Sequence, residues 1–566
     1  MKKNIIILSL LGFSINIGFA QSAIGAFSLS QPDLKGTARF MGMAGAFGAL
    51  GGDLSSISQN PAGIGVYRSS DIGFTLDLDL QSSNTQAEGM KYNMNQTKFL
   101  LNNIGAVMTL RLPCKTVPNI NFGFTYNKGA SFNRIYGGNI NTLHNSMSNY
   151  IAGVANSNSL TENQLSYDDN NDPYYDSPWI AAMGFNSYLI NPEYFYDSDL
   201  PNWTGLWNND SMTGNNTSGS GTFLMKEWGG LNDFNIAIGG NIADFLYWGM
   251  NFDIVSMNYN LQTIWGESLT NAMVPNSEYV LQRGFADWNL NSVYNISGTG
   301  FNYQLGFILK PIQQFRLGFA FHTPTWYSLT EEYTGLINYN VGAFSGQELA
   351  NDGVPGYSDY NFRTPWKIIA SAAGVIGNNF ILSFDYEWAN YGKMHYSERT
   401  YYNGGYDWGY DPWYPWPYSA QPTSSTFFPD PSDPYAYENS DIANYYKSSN
   451  TIRLGLEFKP ISSLSIRAGY SYVSSPVKAE AKDNLIEIYT SGMSPSYRWD
   501  NSTNYITCGL GYRYSHFYVD LAYVYKHQTA DYHAFAPDIA KNGLPSPQSK
   551  VSLTNNQIVL SAGYRF

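Results

Sequence analysis

The sequence has 566 residues, a formal net charge of −13, 13% charged residues and 16% aromatic residues. Soluble domains usually contain about 25% charged residues, so this composition is unlike that of an ordinary soluble enzyme. The acidic balance argues against nucleic acid, which requires a basic surface. Few charges, 53 glycines and many Tyr and Phe residues are instead typical of a transmembrane antiparallel β-barrel, in which lipid-facing and lumen-facing residues alternate.

The first twenty residues, MKKNIIILSLLGFSINIGFA, have the pattern of a signal peptide. Lys2 and Lys3 form a basic start, an apolar stretch follows, and Gly18 and Ala20 provide small residues for cleavage after Ala20. The alternative is a membrane anchor. Past residue 20, no stretch of the sequence reaches the roughly 18–20 apolar residues of a spanning helix. We therefore predict a signal peptide over residues 1–20.

Residues 42–63, GMAGAFGALGGDLSSISQNPAG, are unusually rich in glycine. A phosphate-binding G-x-G-x-x-G loop requires a preceding strand, which this segment lacks, and its apolar part is too short to span a bilayer. Glycines permit close contact between backbones, Asp53 or Ser55 can cap a short helix, and Asn60 before Pro61 is disfavoured in a helix. We predict that residues 21–70 form a compact hatch, or plug, in the lumen of a barrel.

Alternation with a period of two predicts strands over much of residues 71–566. In DIGFTLDLDL, Ile72 and Phe74 begin an apolar face, and Asp77 and Asp79 lie on the opposite one. We count about fourteen strands, and an even number suits a bacterial barrel with short periplasmic turns. Strand pairs are predicted at 97–112 with 119–132, 233–244 with 246–260, 301–309 with 315–322, 364–375 with 378–391, 451–458 with 464–476, and 502–514 with 516–527.

The last strand ends in Tyr564 and Phe566. This aromatic ending resembles the C-terminal signature that outer-membrane barrels present to the barrel assembly machinery. We therefore predict that Phe566 is read by that machinery.

Two stretches, near 133–230 and 392–450, interrupt the alternation and predict long outer loops. The first contains a possible short helix at WIAAMGFNSYLI. The second contains YDWGYDPWYPWPYSAQP, whose prolines exclude a central strand. Its aromatic side chains suit a landing site for apolar ligands, stacking on sugars, or a self-packed lid near the membrane interface. The candidate capture residues are Trp408, Trp413, Tyr414 and Trp416.

The N-terminal segment ARFMGMAGAFGALGGDLSSISQNPAGI resembles the hatch of FadL-type outer-membrane transporters of long-chain fatty acids and hydrocarbons. The match includes the Asn-Pro-Ala motif at Asn60, Pro61 and Ala62. LGFILKPIQQFRLGFAFHTP is similar to that family's Lys-Pro hairpin, and FILSFDYEWANY is similar to its Asp-x-Glu-Trp strand. The chain departs from the family in its two longer loops, so the resemblance says least about ligand choice.

The resemblance implies passive uptake of hydrophobic small molecules across the outer membrane of a Gram-negative bacterium, by a monomeric barrel without a cofactor. Ligand would be caught by the outer loops, pass to an apolar pocket beside the hatch, and leave sideways through a gap in the wall. Arg316 is the candidate partner of a fatty-acid carboxylate. The residues expected at this site are Phe47, Asn60, Pro61, Ala62, Arg316 and His322. The alternative hypothesis is a barrel that displays its loops to glycans or host surfaces.

Several titratable side chains are expected to face the lumen. Unpaired charges in a confined interior are costly, so we expect most of them to pair with one another or with the hatch. They are Lys310, Arg316, His322, Lys367, Asp385, Glu387, Arg453, Glu457, Arg467 and Arg513.

We predict no enzymatic activity and no metal site. The sequence has no G-x-S-x-G motif, and His322 and His516 are catalytic candidates only because they lie on predicted strands. YDDNNDPYYD resembles a calcium loop, but Pro173 stands where an EF-hand requires glycine. Cys114 and Cys508 either pair or stay reduced, and we favour a lipid-facing thiol for Cys508.

Overall fold

The computed structural model describes residues 21–88, 90–167, 171–194, 200–209, 216–377, 379–399, 433–482, 493–540 and 543–566. The predicted signal peptide and the predicted capture residues Trp408, Trp413, Tyr414 and Trp416 lie outside these ranges. Within them, no helix is long and apolar enough to cross a bilayer.

Strands form the largest part of the described structure. They are β1 Asp71–Ala87, β2 Met90–Arg111, β3 Asn119–Ser131, β4 Arg134–Ile140, β5 Ile190–Glu193, β6 Asn202–Gly205, β7 Ser218–Ile242, β8 Leu246–Pro275, β9 Leu281–Ile312, β10 Phe315–His322, β11 Trp326–Val341, β12 Phe344–Leu349, β13 Gly356–Arg363, β14 Lys367–Ile376, β15 Phe380–Asn390, β16 His395–Glu398, β17 Ser448–Ile461, β18 Leu464–Val473, β19 Tyr497–Tyr514, β20 Phe517–His533 and β21 Gln548–Arg565.

Helices are short and lie near the N-terminus or in the long connections. The α-helices are α1 Ala23–Ser30, α2 Ala38–Gly42, α3 Met147–Ser157, α4 Glu162–Leu165, α5 Pro173–Asp176, α6 Trp179–Asn186, α7 Ala436–Tyr445, α8 Ala479–Lys482 and α9 Pro537–Ala540. The 3-10 helices are Leu54–Ser58, Pro61–Val66, Ala350–Gly353 and Tyr391–Lys393.

The strands close into an antiparallel barrel. The last strand, β21, pairs with the first, β1, from Asp71 opposite Arg565 to Gln86 opposite Lys550. Strands β5 and β6 form a separate two-stranded sheet. In the wall, β3 continues into β4, β10 into β11, β12 into β13 and β14, and β15 into β16, so its 19 segments make 14 strands. The predicted fold and strand number are confirmed. Closure is required in lipid because an open edge would leave backbone groups without partners.

The two faces of the wall differ as the alternation predicts. On β1, Ile72 and Phe74 are exposed, whereas Thr75, Asp77 and Asp79 are buried in the lumen. This outward surface is typical of a transmembrane barrel. Outward-facing apolar side chains around the wall include Phe99, Phe124, Phe234, Met250, Phe319, Leu382, Leu454, Ile506, Leu521 and Leu560.

One end of the barrel has short turns, at 112–118, 243–245, 313–314, 462–463 and 515–516, and we call it the short-turn end. The opposite end, the long-loop end, carries the helices α3 to α9. There Ile151, Met183 and Trp203 are buried in a shared apolar core. Helix α6 lies where the sequence predicts a short helix.

The structure changes the bounds of the loop predicted near 133–230. Strand β4 pairs with residues 221–227 of β7, so both ends of that stretch extend the wall. Their sequences, RIYGGNI and SGSGTF, are rich in glycine and serine and have weak alternation, which is why they were predicted as loop. The second loop, near 392–450, likewise includes β16, α7 and the start of β17.

Residues 21–70 lie inside the barrel as a plug. At the long-loop end, Phe27 of α1 packs against Tyr391 and Tyr446. At the short-turn end, Ser70 and Phe566 exchange backbone hydrogen bonds of 3.1 and 3.0 Å. The segment therefore crosses the lumen from the long-loop end to the short-turn end before β1 begins.

Capping side chains lie at the N-termini of the short helices of the plug. Thr37 Oγ1 accepts from Phe40 N at the start of α2, Asp53 Oδ1 accepts from Ser55 N, and Asn60 Oδ1 accepts from Ala62 N at 3.1 Å. The cap predicted at Asp53 is confirmed.

Candidate ligand path beside the plug

The glycine-rich segment contacts the wall through bare backbone. Gly48 N donates to Asp385 Oδ2 at 2.9 Å. A Cβ added at Gly48 would lie 2.0 Å from Ser371 Oγ, and one added at Gly318 of β10 would lie 2.2 Å from Gly48 O. The backbone contact requires glycine at Gly318, and a side chain at Gly48 would fit only if the Ser371 hydroxyl moved away.

The Asn-Pro-Ala motif forms a turn that docks on β8 and β9. Asn60 Nδ2 donates to Gly48 O at 2.5 Å and also lies 3.4 Å from Phe307 O on β9. A Cβ at Gly306 would lie 1.9 Å from Asn60 Oδ1, and one at Gly249 would lie 2.1 Å from Pro61 O. Ala62 is fully buried here. The motif therefore joins two parts of the plug and seats them on the wall.

Two other predicted site residues, Phe47 of the plug and Arg316 of β10, take part in plug contacts. Phe47 is fully buried against Phe40, and the guanidinium of Arg39 lies 5.1 Å from the centroid of its ring. Arg316 Nη1 donates to Leu50 O at 2.8 Å. Neither residue lines the main cavity described below. Their roles in ligand binding stay predictions.

The other charges predicted to face the lumen follow two patterns. Glu457 Oε2 lies 2.7 Å from Arg467 Nε and 3.3 Å from Arg39 Nε of the plug, and Glu387 lies 2.7 Å from Arg453. These groups form ion pairs, as expected. Lys310 and Arg513 lie at the short-turn end, and Asp385 binds the plug rather than a cation.

A cavity of about 210 Å³ lies between the plug and the wall. We call it the main cavity because it is larger than the cavities of about 160 and 70 Å³ that also border the plug. Its lining is largely polar and includes His322, Lys367, Asp253 and Gln304. His322 Nε2 lies 2.9 Å from Gln59 O of the plug. The resemblance implies an apolar pocket here, and the structure differs because ion pairs and amide side chains face this part of the lumen.

A second cavity, of about 70 Å³, lies nearer the long-loop end beside α1. Its walls are mainly apolar and aromatic, with Ile24, Met225, Leu261 and Tyr294 among them. This cavity has the apolar character that the resemblance implies. Polar side chains also meet on its wall, where Gln21 Nε2 donates to Glu331 Oε2 at 3.3 Å.

Strands β2 and β3 part in the middle of the wall. From the short-turn end they pair from Arg111 opposite Asn119 to Asn103 opposite Asn127, where the described ladder between them ends. Beyond that point β2 continues to pair with β1, whereas β3 and β4 continue with β7. Asn103 Nδ2 donates to Asn127 Oδ1 at 2.6 Å. This bond marks the edge of the parting nearest the short-turn end, which we call its lower edge.

Side chains meet again across the parting toward the long-loop end. A Cβ at Gly137 of β4 would lie 3.0 Å from Met94 Cε of β2, and one at Gly138 would lie 3.2 Å from Tyr92 Cδ2. Between these contacts and the Asn103–Asn127 bond, residues 95–102 face residues 128–133 with no described ladder between them. We call this region the window.

The window is continuous with the main cavity. Asn127, Lys128 and Gly129 form the lower corner of the window and also line the cavity. The plug lies directly behind it, where Asp33 N donates to Gly129 O at 3.4 Å and Lys35 Nζ lies 2.7 Å from Asp77. A ligand in the cavity therefore has the lipid-facing wall within reach at this corner.

The sequence did not reveal the window. One signal was present, because Asn102 and Asn103 are consecutive buried polar residues on one strand and so break the period of two. The β1–β2 register shifts opposite them, between Thr75 and Leu76. A local pattern of this kind indicates a bulge, but it does not tell which neighbouring strand stops pairing with β2.

The residues that were considered and set aside as catalytic or calcium-binding candidates have structural contacts. His516 Nδ1 lies 2.7 Å from Arg565 O, and Pro173 begins α5 rather than a calcium loop. Cys114 and Cys508 are free and exposed. Among the described residues, no group of three or more His, Cys, Asp and Glu side chains is placed to hold a metal ion.

No protein-family model matches the chain, and no curated protein sequence matches it. Among solved structures, it is similar to a Pseudomonas aeruginosa FadL homologue at 12% identity, with a TM-score of 0.49 over 94% of this chain and 99% of that one. The chain is also similar to the toluene transporter TodX of P. putida, at 13% identity and a TM-score of 0.46 over 94% and 99%. A third similar structure is the monoaromatic hydrocarbon channel CymD, at 11% identity and a TM-score of 0.43 over 95% and 99%.

Asp33 gives the plug a pH-dependent anchor in this barrel. Burial opposes its ionisation, but the ammonium groups of Lys526 and Lys35 and hydrogen bonds from Lys526 and Tyr505 lower its pKa from 3.8 to about 2. The stabilisation by the charged form is present above about pH 4 and is lost as the pH falls toward 2. Asp33→Asn should lower the free energy of unfolding in urea by about 2 kcal/mol at pH 7 and by almost nothing at pH 2. An equal deficit at both pH values would contradict this assignment.

Proposed function

We propose that the protein is an outer-membrane channel of a Gram-negative bacterium for the passive uptake of hydrophobic small molecules, such as long-chain fatty acids or hydrocarbons. The apolar outer surface, the plugged lumen and the lateral window support this proposal. No energy source is needed, because the ligand moves down its own gradient. The barrel acts as a monomer, and its exposed C-terminal Phe566 is read by the barrel assembly machinery during insertion.

The single observation that carries the proposal is the shared corner of window and cavity at Asn127, Lys128 and Gly129. Ligand enters among the long loops, passes the apolar cavity beside α1, and reaches the main cavity behind the plug. It then leaves through the window into the bilayer and avoids the short-turn end, which the plug fills. A shift of the plug segment around residues 31–35 widens this route.

The window is tested by blocking it. Leu100 lies opposite Asp77 on the lumen face of β2, within the window. In a background carrying Cys114→Ser and Cys508→Ala, we expect a bulky maleimide on Leu100→Cys to reduce uptake of labelled oleate to the level of cells that lack the protein. The unlabelled Leu100→Cys variant should retain uptake.

The matched control is Leu510→Cys, whose side chain is exposed on the outer face of β19, away from the window. Labelling there should leave uptake unchanged. Full uptake after complete labelling of Leu100→Cys would overturn the window as the exit, and no uptake by any form would overturn the transport function. The alternative function, surface adhesion, was predicted from the loop that contains the aromatic residues 408–416. That loop lies outside the described part of the chain.

A further inference from the structure

Three lysines surround the window from different strands. Lys98 extends from the lumen face of β2, opposite Asp79 on β1. Lys128 lies at the end of the β3 ladder, and Lys226 lies on β7 opposite Ile135 of β4. Because the window separates β2 from β3 and β4, the three ammonium groups come from both of its sides.

Carboxylates lie near two of these ammonium groups, Asp79 opposite Lys98 and Asp233 near Lys128, but neither forms an ion pair with them. In the described residues none of the three lies within 4.0 Å of a carboxylate, as the ion pairs of the barrel do. Lys128 Nζ donates to the amide oxygen of Asn232 at 3.0 Å, and Lys226 Nζ lies 5.3 Å from the centroid of the Trp228 ring. Asp79, behind Lys98, is shared with Lys35 of the plug at 3.8 Å.

The lysines are also close enough to repel one another. Lys98 interacts with the charges of Asp79 and Lys226, and Lys128 interacts with those of Lys35, Asp233 and Lys98. Positive charge that is only partly compensated is costly in a membrane wall, and such groups normally pair or mark a ligand path. The cluster therefore favours an anion that is absent from the polypeptide itself.

Unpaired hydrogen-bonding groups lie beside the same lysines. The backbone of residues 95–102 pairs with β1 on one side only, which is unfavourable where lipid is the other neighbour. Buried side-chain atoms without partners also occur on both edges, namely Gln96 Oε1, Asn103 Oδ1 and Ser131 Oγ. The exposed N–H groups offer an anion hydrogen bonds in addition to the ammonium charges.

The depth of the window fixes the kind of anion. Asn103 lies eight residues from the short-turn end of β2 at Arg111, which corresponds to about 20 Å along the membrane normal for a strand tilted by about 40°. The window therefore lies in the outer part of the bilayer, close to its head groups. An anion at this depth has the apolar wall beside it, which suits an attached acyl chain.

We propose that the window is a binding site for the anionic head group of an amphiphile, a carboxylate or phosphate held by Lys98, Lys128 and Lys226, with its chain in the bilayer. The head group comes either from the ligand leaving the main cavity or from a membrane lipid that fills the window at rest. The first source rests on the proposed uptake function, whereas the site itself does not.

The test is binding selectivity of the purified, delipidated protein. Native mass spectrometry is used to measure retention of three probes: oleate, dioleoyl phosphatidylglycerol and the neutral oleyl alcohol. We expect the wild-type protein to retain one or both anionic probes over oleyl alcohol. Replacing Lys98, Lys128 and Lys226 together with Gln should reduce that preference by about tenfold, the size expected for losing charge-assisted hydrogen bonds.

The probes separate the two sources. Preferential retention of oleate supports the transported ligand as the source, and preferential retention of phosphatidylglycerol supports a membrane lipid. Equal retention of oleyl alcohol and both anions by the wild-type protein would overturn the proposal. So would an unchanged preference in the triple Gln variant.

Two further variants control for folding and for general charge. The triple Arg variant at the same positions keeps the charges, so it should keep the preference, and its loss would also overturn the site. Replacing Lys310, Lys393 and Lys447 with Gln removes three lysines away from the window and should change nothing. If uptake fails while anion preference holds, the proposed transport function falls and the site stands.

Discussion

Gly306→Val should displace the Asn60–Pro61–Ala62 turn from the wall and unseat the plug. The Cβ alone would lie 1.9 Å from Asn60 Oδ1 and 2.9 Å from Ala62 N. Neither atom belongs to a flexible side-chain end, because Asn60 is fixed by its bonds to Gly48 O and Ala62 N. We expect the free energy of unfolding in urea to fall by about 3 kcal/mol, the upper part of the range for overpacking.

The displaced plug should also become accessible. Limited proteolysis in detergent is expected to cut the Gly306→Val protein within residues 21–70 while its strands stay intact, and planar-bilayer recordings should show increased ion conductance. The matched control is Gly374→Val, because a Cβ at that strand glycine meets nothing within 4 Å. If both variants behave alike, the turn is not seated on Gly306.

Much of this barrel was predictable because lipid and lumen impose opposite demands on neighbouring residues. Asp77 and Asp79 face the lumen while Ile72 and Phe74 face outward, and the alternation in the sequence follows directly. The plug was predictable for a related reason. A run of glycines such as that around Gly48 has little use except where two backbones must touch.

The site was less predictable because its geometry depends on pairing between strands that are distant in sequence. The window begins at Asn103 and Asn127 because β3 continues to pair with β7 and not with β2. The sequence of one strand does not tell which neighbour it will pair with. Lys98, Lys128 and Lys226 are individually ordinary residues of an alternating strand. They form a cluster only because β2 and β7 approach from opposite sides of the window.

Charge pairing in the lumen was predictable in kind but not in detail. The sequence indicated that groups such as Glu457 and Arg467 would pair, and they do, at 2.7 Å. It did not indicate that Arg39 of the plug joins them or that Arg316 donates to the backbone of Leu50. Partner choice depends on where the plug segment lies in the lumen, which only the three-dimensional structure provides.

Lys35→Met should destabilise the plug at the point nearest the window. Lys35 Nζ lies 2.7 Å from Asp77 and 3.8 Å from Asp79, and the Lys35 and Asp77 side chains are 1% and 0% exposed. Burial opposes the charged form, but Asp77, Asp33 and Asp79 raise the pKa of Lys35, so the residue stays charged. Methionine would leave two buried carboxylates without their cation, at a cost of about 3–5 kcal/mol.

The pairing is isolated by a double-mutant cycle. Asp77→Asn in the Lys35→Met background should restore part of the loss, because it removes one of the stranded charges. Lys310→Met is the matched control. Lys310 lies at the short-turn end, and in the described residues its ammonium group donates a side-chain hydrogen bond to Gln313 alone. This variant should change the free energy of unfolding by less than about 0.5 kcal/mol. A loss no larger than this in Lys35→Met would show that the buried ion pair does not hold the plug.

Because Lys35 lies behind the window, its removal is also expected to speed oleate uptake, which connects the stability of this contact to the rate of the proposed exit.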